Sequence, residues 1–218
     1  MSNVPRLSNS QRRLLVNLKK SFNGGKVLDV GAGAGFSKIM FGDEWKWEGI
    51  DIDPLSDEVH KGDAHSLNFE DEEFDMVVSI AVFEHLHSPW IAIKEISRVL
   101  KKGGIFFGTV AFLEPEHGNS YFHMTKRGMS KILEVGNLEI IDVIPTDNWT
   151  FLTSLNLFPL PLNNFYKRIK SKFLFSFRRS LIKLRIALSS GEKKARAIKY
   201  LEGDKSRFAG SFTFMAKK

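Results

Sequence analysis

Hydrophobic positions along this chain switch between helical and strand-like runs. Leu14, Leu15 and Leu18 fall on one helical face, and the Ser8 to Gln11 spacing predicts a capping box at the start of that helix. KVLDV (26–30) is a short apolar run bounded by glycines and predicts a buried strand; KWEGIDI (46–52) predicts a second, with one short helix from 36 to about 45 between them. A short third strand is expected just before Asp63, with almost no helix between Asp51 and that point. FDMVVSIAV (74–82) is continuously apolar after one acid, and Trp90, Ile91, Ile93, Ile96, Val99 and Leu100 then recur with a helical period. Lys101, Lys102, Gly103 and Gly104 read as basic last-turn residues and a glycine stop, and IFFGTVAF (105–112) as the next strand. Thr125 is placed to cap a helix through Met129, Ile132, Leu133 and Val135, before the strand LEIIDVI (138–144). In RFAGSFTFMAK (207–217), Phe208, Gly210, Phe212 and Phe214 fall at period two, and a strand reached without an evident crossover helix is expected to insert antiparallel. The alternation implies a Rossmann-like, mostly parallel, doubly wound α/β sheet with helices on both faces.

Composition adds bounds to that picture. With 218 residues, 43% hydrophobic and 26% charged, the chain is long enough for one domain with an elaboration and can bury a full core. The expected organisation is an N-terminal helix (1–22), a core (23–145), a basic aromatic-rich helical insertion (146–206) and a final core strand (207–218). The absence of cysteine excludes disulfides, thiolate metal sites and cysteine nucleophiles. A cytoplasmic location is expected, since the first residues hold no apolar run of signal-peptide length.

The formal net charge of +7 is unevenly placed. Between 148 and 191 stand Lys167, Arg168, Lys170, Lys172, Arg178, Arg179, Lys183 and Arg185, with no acid. The other 24 of the 32 basic residues nearly balance the 25 acidic ones, so the basicity belongs to one segment.

The stretch VLDVGAGAGF (27–36) carries the candidate chemistry. Glycines just past a strand let the backbone turn tightly and approach a bound nucleotide. The dinucleotide fingerprint would require its third glycine at position 36, which is phenylalanine, and no Gly-Lys-Ser/Thr follows to hold a triphosphate. The pattern acid, x, Gly, x, Gly, x, Gly from Asp29 to Gly35 instead resembles the first motif of the class I S-adenosylmethionine-dependent methyltransferases. Asp51 at the end of the second strand, the pair Asp63 and Ala64, FDMVVSIAVFEHL and EISRVLKKGGIFFGT follow in the order of that family. The resemblance implies S-adenosylmethionine as cofactor, bound through Asp29, Gly31, Ala32, Gly33, Gly35, Asp51, Ile52, Asp63, Ala64 and Ser79. Asp51 would take the ribose hydroxyls and Asp63 the adenine amino group; strand-end turn and helix cap are the structural alternatives for these two acids.

A sulfonium methyl is already activated, so alignment and exclusion of water can carry much of such a transfer, and a base is needed only for a hydroxyl or a protonated amine. His85 in FEHLHS and His123 after the fifth strand are the candidate catalytic residues; Glu84 and His85 could equally hold the loop and cap the next helix. SIAVFEH lacks the Asn/Asp-Pro-Pro-aromatic stretch common in enzymes that methylate exocyclic base nitrogens. The six histidines show no ligand spacing, so no metal site is readable. A small-molecule, sugar or lipid-linked acceptor is expected, with an RNA methyltransferase or a cofactor-binding regulatory protein without turnover as alternatives.

From 165 onward, apolar residues recur at 169, 173, 177, 181, 184 and 188, with most basic residues opposite. Such a cationic amphipathic helix can lie on an anionic membrane surface, giving peripheral attachment. A lid over the acceptor pocket with a solvated basic face, or an RNA contact, would use the same pattern.

Overall fold

A strand covered on both faces needs a continuous apolar run rather than alternation. Val27, Leu28 and Val30, and likewise Met76, Val77 and Val78, supply such runs and are almost completely buried. The computed structural model describes residues 7–147, 180–181, 183–184, 186–188, 190–202 and 209–218. In chain order the elements are α1 (Asn9–Lys19), β1 (Gly25–Val30), β2 (Trp45–Asp51), β3 (Val59–Lys61), β4 (Phe74–Ile80), α2 (Pro89–Val99), β5 (Leu100–Ala111), α3 (Lys126–Val135), β6 (Glu139–Pro145), α4 (Gly191–Glu202) and β7 (Ser211–Lys217). Seven strands form one sheet in the order β3-β2-β1-β4-β5-β7-β6. The first five pair in parallel, whereas β7 inserts antiparallel to both β5 and β6.

Two apolar clusters lie against the sheet. Leu28, Val77, Phe106 and Phe214 pack with Ile93 and Ile96 of α2 and Met129 and Leu133 of α3. Val27, Met76, Val78 and Phe107 pack with Leu15 of α1, Phe41 and Trp45. Phe106, Phe214 and Phe83 meet at 4.9 to 6.0 Å between ring centroids, tying β5, β7 and the turn after β4 together. Burying a phenylalanine contributes about 1.5–3 kcal/mol, so this group holds β7 in the sheet without a crossover helix.

The capping box forms as expected: Ser8 Oγ accepts from Gln11 N–H and Gln11 Oε1 accepts from Ser8 N–H. Gln11 is itself buried and donates through Nε2 to Thr213 Oγ1 at 2.8 Å, fastening α1 to β7. Two expectations are corrected. The helix expected over 36–45 is a 3-10 turn at Phe36–Met40, because Trp45 is drawn into β2 by packing against Phe22 and Phe41. The glycine stop after α2 is instead a strand irregularity: Leu100 already pairs with Phe74, and Gly103 takes φ +81° where the register shifts. Lys101 serves as a partner for Asp75, at 2.8 Å, and not as a helix-end charge.

The end of β6 and the start of β7 lie side by side. Pro145 pairs with Phe212, and Thr146 N–H donates to Ser211 O at 3.0 Å. The intervening segment therefore leaves and rejoins the sheet at adjacent points. Most of it, including nearly all of the cationic pattern over 165–188, lies outside the described residues.

Candidate cofactor and acceptor site

The glycine loop leaves β1 and is pinned across to β2: the N–H groups of Gly31 and Ala32 both donate to Ile50 O at 2.9 Å. Gly31 has φ +77°, and a Cβ there would lie 2.3 Å from Val82 Cγ2, so a side chain is excluded twice over. Gly33 is different. It also has positive φ, +56°, but a Cβ there would meet nothing within 4 Å. Its N–H donates to Asp51 Oδ2 at 2.8 Å, while Oδ1 accepts from Asp53 N–H at 2.9 Å. Each Asp51 oxygen thus retains acceptor capacity beside the open loop. Ile52, next along, is 64% exposed, an apolar side chain standing at the same edge.

Asp29 faces the opposite condition. It is 3% exposed, Ser37 Oγ donates to it, and Trp47 Nε1 donates to Ser37 Oγ at 3.0 Å. Burial pushes its carboxyl up to about 7, against the Ser37 hydrogen bond and with help from the Asp51 charge. Asp63 lies two residues beyond β3, its Oδ1 accepting from His65 N–H at 2.9 Å and lying 2.6 Å from His65 Nδ1. Those contacts, the backbone one first, hold its carboxyl below the usual range. Ala64 is buried beside it. Ser79 sits within β4, fully buried, with no hydrogen-bond partner for its Oγ among the described residues.

Beyond β4 the chain turns sharply. Ala81 takes φ +57° and donates to Thr109 Oγ1 at 3.0 Å, and a 3-10 turn follows at Phe83–His85. Glu84 O accepts from Tyr121 and Phe122 N–H, which brings the loop after β5 against this turn. Five of the six histidines then meet in two groups. His65 stacks on His87 at 4.1 Å, while His117 lies 5.2 Å from His85 and 5.6 Å from His123. Burial first, then the neighbouring His117, lowers the basicity of both His85 and His123. Glu84 is almost completely buried, and burial raises its carboxyl to about 7. Donor atoms of Glu84, His85 and His117 all lie within 4.8 Å of one another. The histidines that look scattered in sequence are therefore clustered in space, because parallel strands deliver the loops after β4 and β5 to one edge. The signal was present as two Glu-His pairs, in FEHL and PEHG, each following a strand. Trp90, Tyr121 and Phe122 extend this rim as partly or fully exposed aromatics, Trp90 and Phe122 at 6.2 Å.

Comparison with known proteins bears on the same residues. Positions 28–108, from within β1 into β5, match the family model described as a methyltransferase domain. Over these residues the chain carries a class I S-adenosylmethionine-dependent methyltransferase domain. This methyltransferase domain is similar to the phosphatidylethanolamine N-methyltransferase of Cereibacter sphaeroides, 32% identical over 37% of this chain and 48% of that protein. The matches span only 37% to 48% of the curated relatives' own lengths. Among solved structures, geranyl diphosphate C-methyltransferase from Streptomyces coelicolor A3(2) superposes with a TM-score of 0.58 at 17% identity, over 95% of this chain and 79% of that one. The cyclase SpnF gives 0.58 at 21% identity, over 100% and 84%. These superpositions show a shared fold.

Proposed function

We propose that the methyltransferase domain transfers the methyl group of S-adenosylmethionine directly, in line, to a small-molecule, sugar or lipid-linked acceptor held at the edge beyond β4 and β5. The observation that carries this reading is the open space at Gly33 with Asp51 beside it. There the ribose hydroxyls would share the Asp51 carboxylate, with Ile52 against the adenine and Asp63 and Ala64 at its amino edge. Gly31, Ala32 and Gly35 shape the loop. Asp29 supports it from beneath, and a cationic cofactor above would favour its ionised form. Ser79 lines the strand floor. His85 and His123, both with lowered basicity, are the proton acceptors if the acceptor atom is a hydroxyl or a protonated amine.

The exposed aromatics of the rim favour an acceptor with apolar surface. Peripheral attachment to an anionic membrane fits the basic insertion, and the described leucines 181, 184 and 188 of its apolar stripe are exposed. Among the described residues no helix is long and apolar enough to cross a membrane. Labelled methyl transfer from S-adenosylmethionine to lipid, glycan, metabolite and RNA fractions tests the assignment. Label in the lipid, glycan or metabolite fraction is expected. Label in RNA alone would assign a nucleic-acid acceptor, and cofactor binding with no transfer to any fraction would point to a regulatory protein.

A further inference from the structure

The geometry points to a divalent transition-metal site, suited best to zinc, formed by Glu84, His85 and His117 where the loops after β4 and β5 meet. Their donor atoms lie within 4.8 Å of one another, although 32 residues lie between the first and the last in sequence. Glu84 is 1% exposed and its Oε2 has no hydrogen-bond partner among the described residues, an arrangement that a bound cation would complete. The imidazoles are held from behind in the manner of ligating histidines. His117 Nδ1 lies 3.0 Å from Pro115 O, and a backbone hydrogen bond to Asn119 engages His85. A ring nitrogen that donates to a carbonyl leaves the other nitrogen with its lone pair available to a metal. Glu114 Oε2, 4.0 Å from His117 Nδ1, adds negative charge beside the cluster.

Two imidazoles and one carboxylate suit zinc and its neighbours, whereas magnesium and calcium prefer all-oxygen sets. Zinc bonds of about 2.0–2.2 Å place tetrahedral donors roughly 3.5 Å apart, so the cluster would contract by about an ångström. His117 can supply that movement, since its side chain is 41% exposed. Three protein donors leave a fourth position for water or an oxygen-bearing ligand. Occupancy would use the His85 lone pair, so proton acceptance at this edge would pass to His123, whose Nε2 is buried without a partner among the described residues.

The test is zinc titration of the tag-free, chelator-stripped protein in competition with a chromophoric chelator, followed by thermal melts with and without zinc. One equivalent of zinc and a raised Tm are expected, with affinity at least tenfold weaker in His117→Ala and Glu84→Gln and unchanged in His60→Ala. The exposed His117 variant keeps the test valid if the Glu84 variant misfolds. No zinc uptake by the wild type, or wild-type affinity in folded His117→Ala, would overturn the inference. Neither readout involves the methyl donor, so the result stands apart from the proposed transfer.

Discussion

Asp51 is engaged by two backbone N–H groups, and under the proposed function it would also hold the ribose of the cofactor. Asp51→Ala is expected to weaken S-adenosylhomocysteine binding by one to two orders of magnitude, as lost charge-assisted hydrogen bonds of roughly 1.5–3 kcal/mol imply. It should also lower the stability of the ligand-free protein by about 1–2 kcal/mol, because the bonds from Gly33 and Asp53 disappear with it. Gly31→Ala and Gly33→Ala separate geometry from ligand space. The first sets a Cβ against Val82 and should destabilise the fold severely; the second meets open space, so it should cost about 1–2 kcal/mol of backbone strain while impairing cofactor binding. Asp29 predicts a pH effect. Its folded-state carboxyl, at about 7 against 3.8, keeps its proton after the unfolded form has lost it, so stability falls as pH rises between those values. Melts from pH 4 to pH 8 should show a decline that Asp29→Asn reduces by up to roughly 4 kcal/mol. Glu84 contributes in the same direction and leaves part of the slope in that variant. Sequence made the positions of these acids legible, but not that Asp29 is buried against Ser37, which Trp47 holds from the neighbouring strand.

At the scale of elements, Arg98 is the fastening between α2 and the loop leading from Asp63 to β4. Its guanidinium donates to Leu67 O, Phe69 O, Glu95 and Asp71, each at 2.8 to 2.9 Å. Arg98→Ala should lower stability by about 2–3 kcal/mol and raise hydrogen exchange across 63–71, with little change in β1 and β2. Continuous apolar runs and caps made most elements readable: Thr125, expected as a cap, accepts from Gly128 N–H at 3.0 Å. The failures share a cause. Local signals at 36–45 and 101–104 suggested a helix and a stop, but cross-strand pairing of Trp45 with Gly25 and of Leu100 with Phe74 took those residues into the sheet.

For the whole molecule, the strand order gathers residues that sequence keeps far apart. The loop after β1 and the end of β2 lie side by side because those strands pair in parallel, so the glycines and Asp51 that sequence singled out are neighbours in space. The histidine rim was legible only in part. His85 and His123 stand out by position, whereas the joining of Glu84 and His117 to them depends on how two loops fold against each other. The central claim is that the open loop at Gly33 and the Asp51 carboxylate form a site for S-adenosylmethionine. Isothermal titration calorimetry with S-adenosylhomocysteine, run in parallel with NAD, tests it most directly. One site for S-adenosylhomocysteine, weakened ten- to a hundredfold by Asp51→Ala, with no heat from NAD, is the predicted result; no binding up to millimolar S-adenosylhomocysteine, or unchanged affinity in the folded variant, would contradict it.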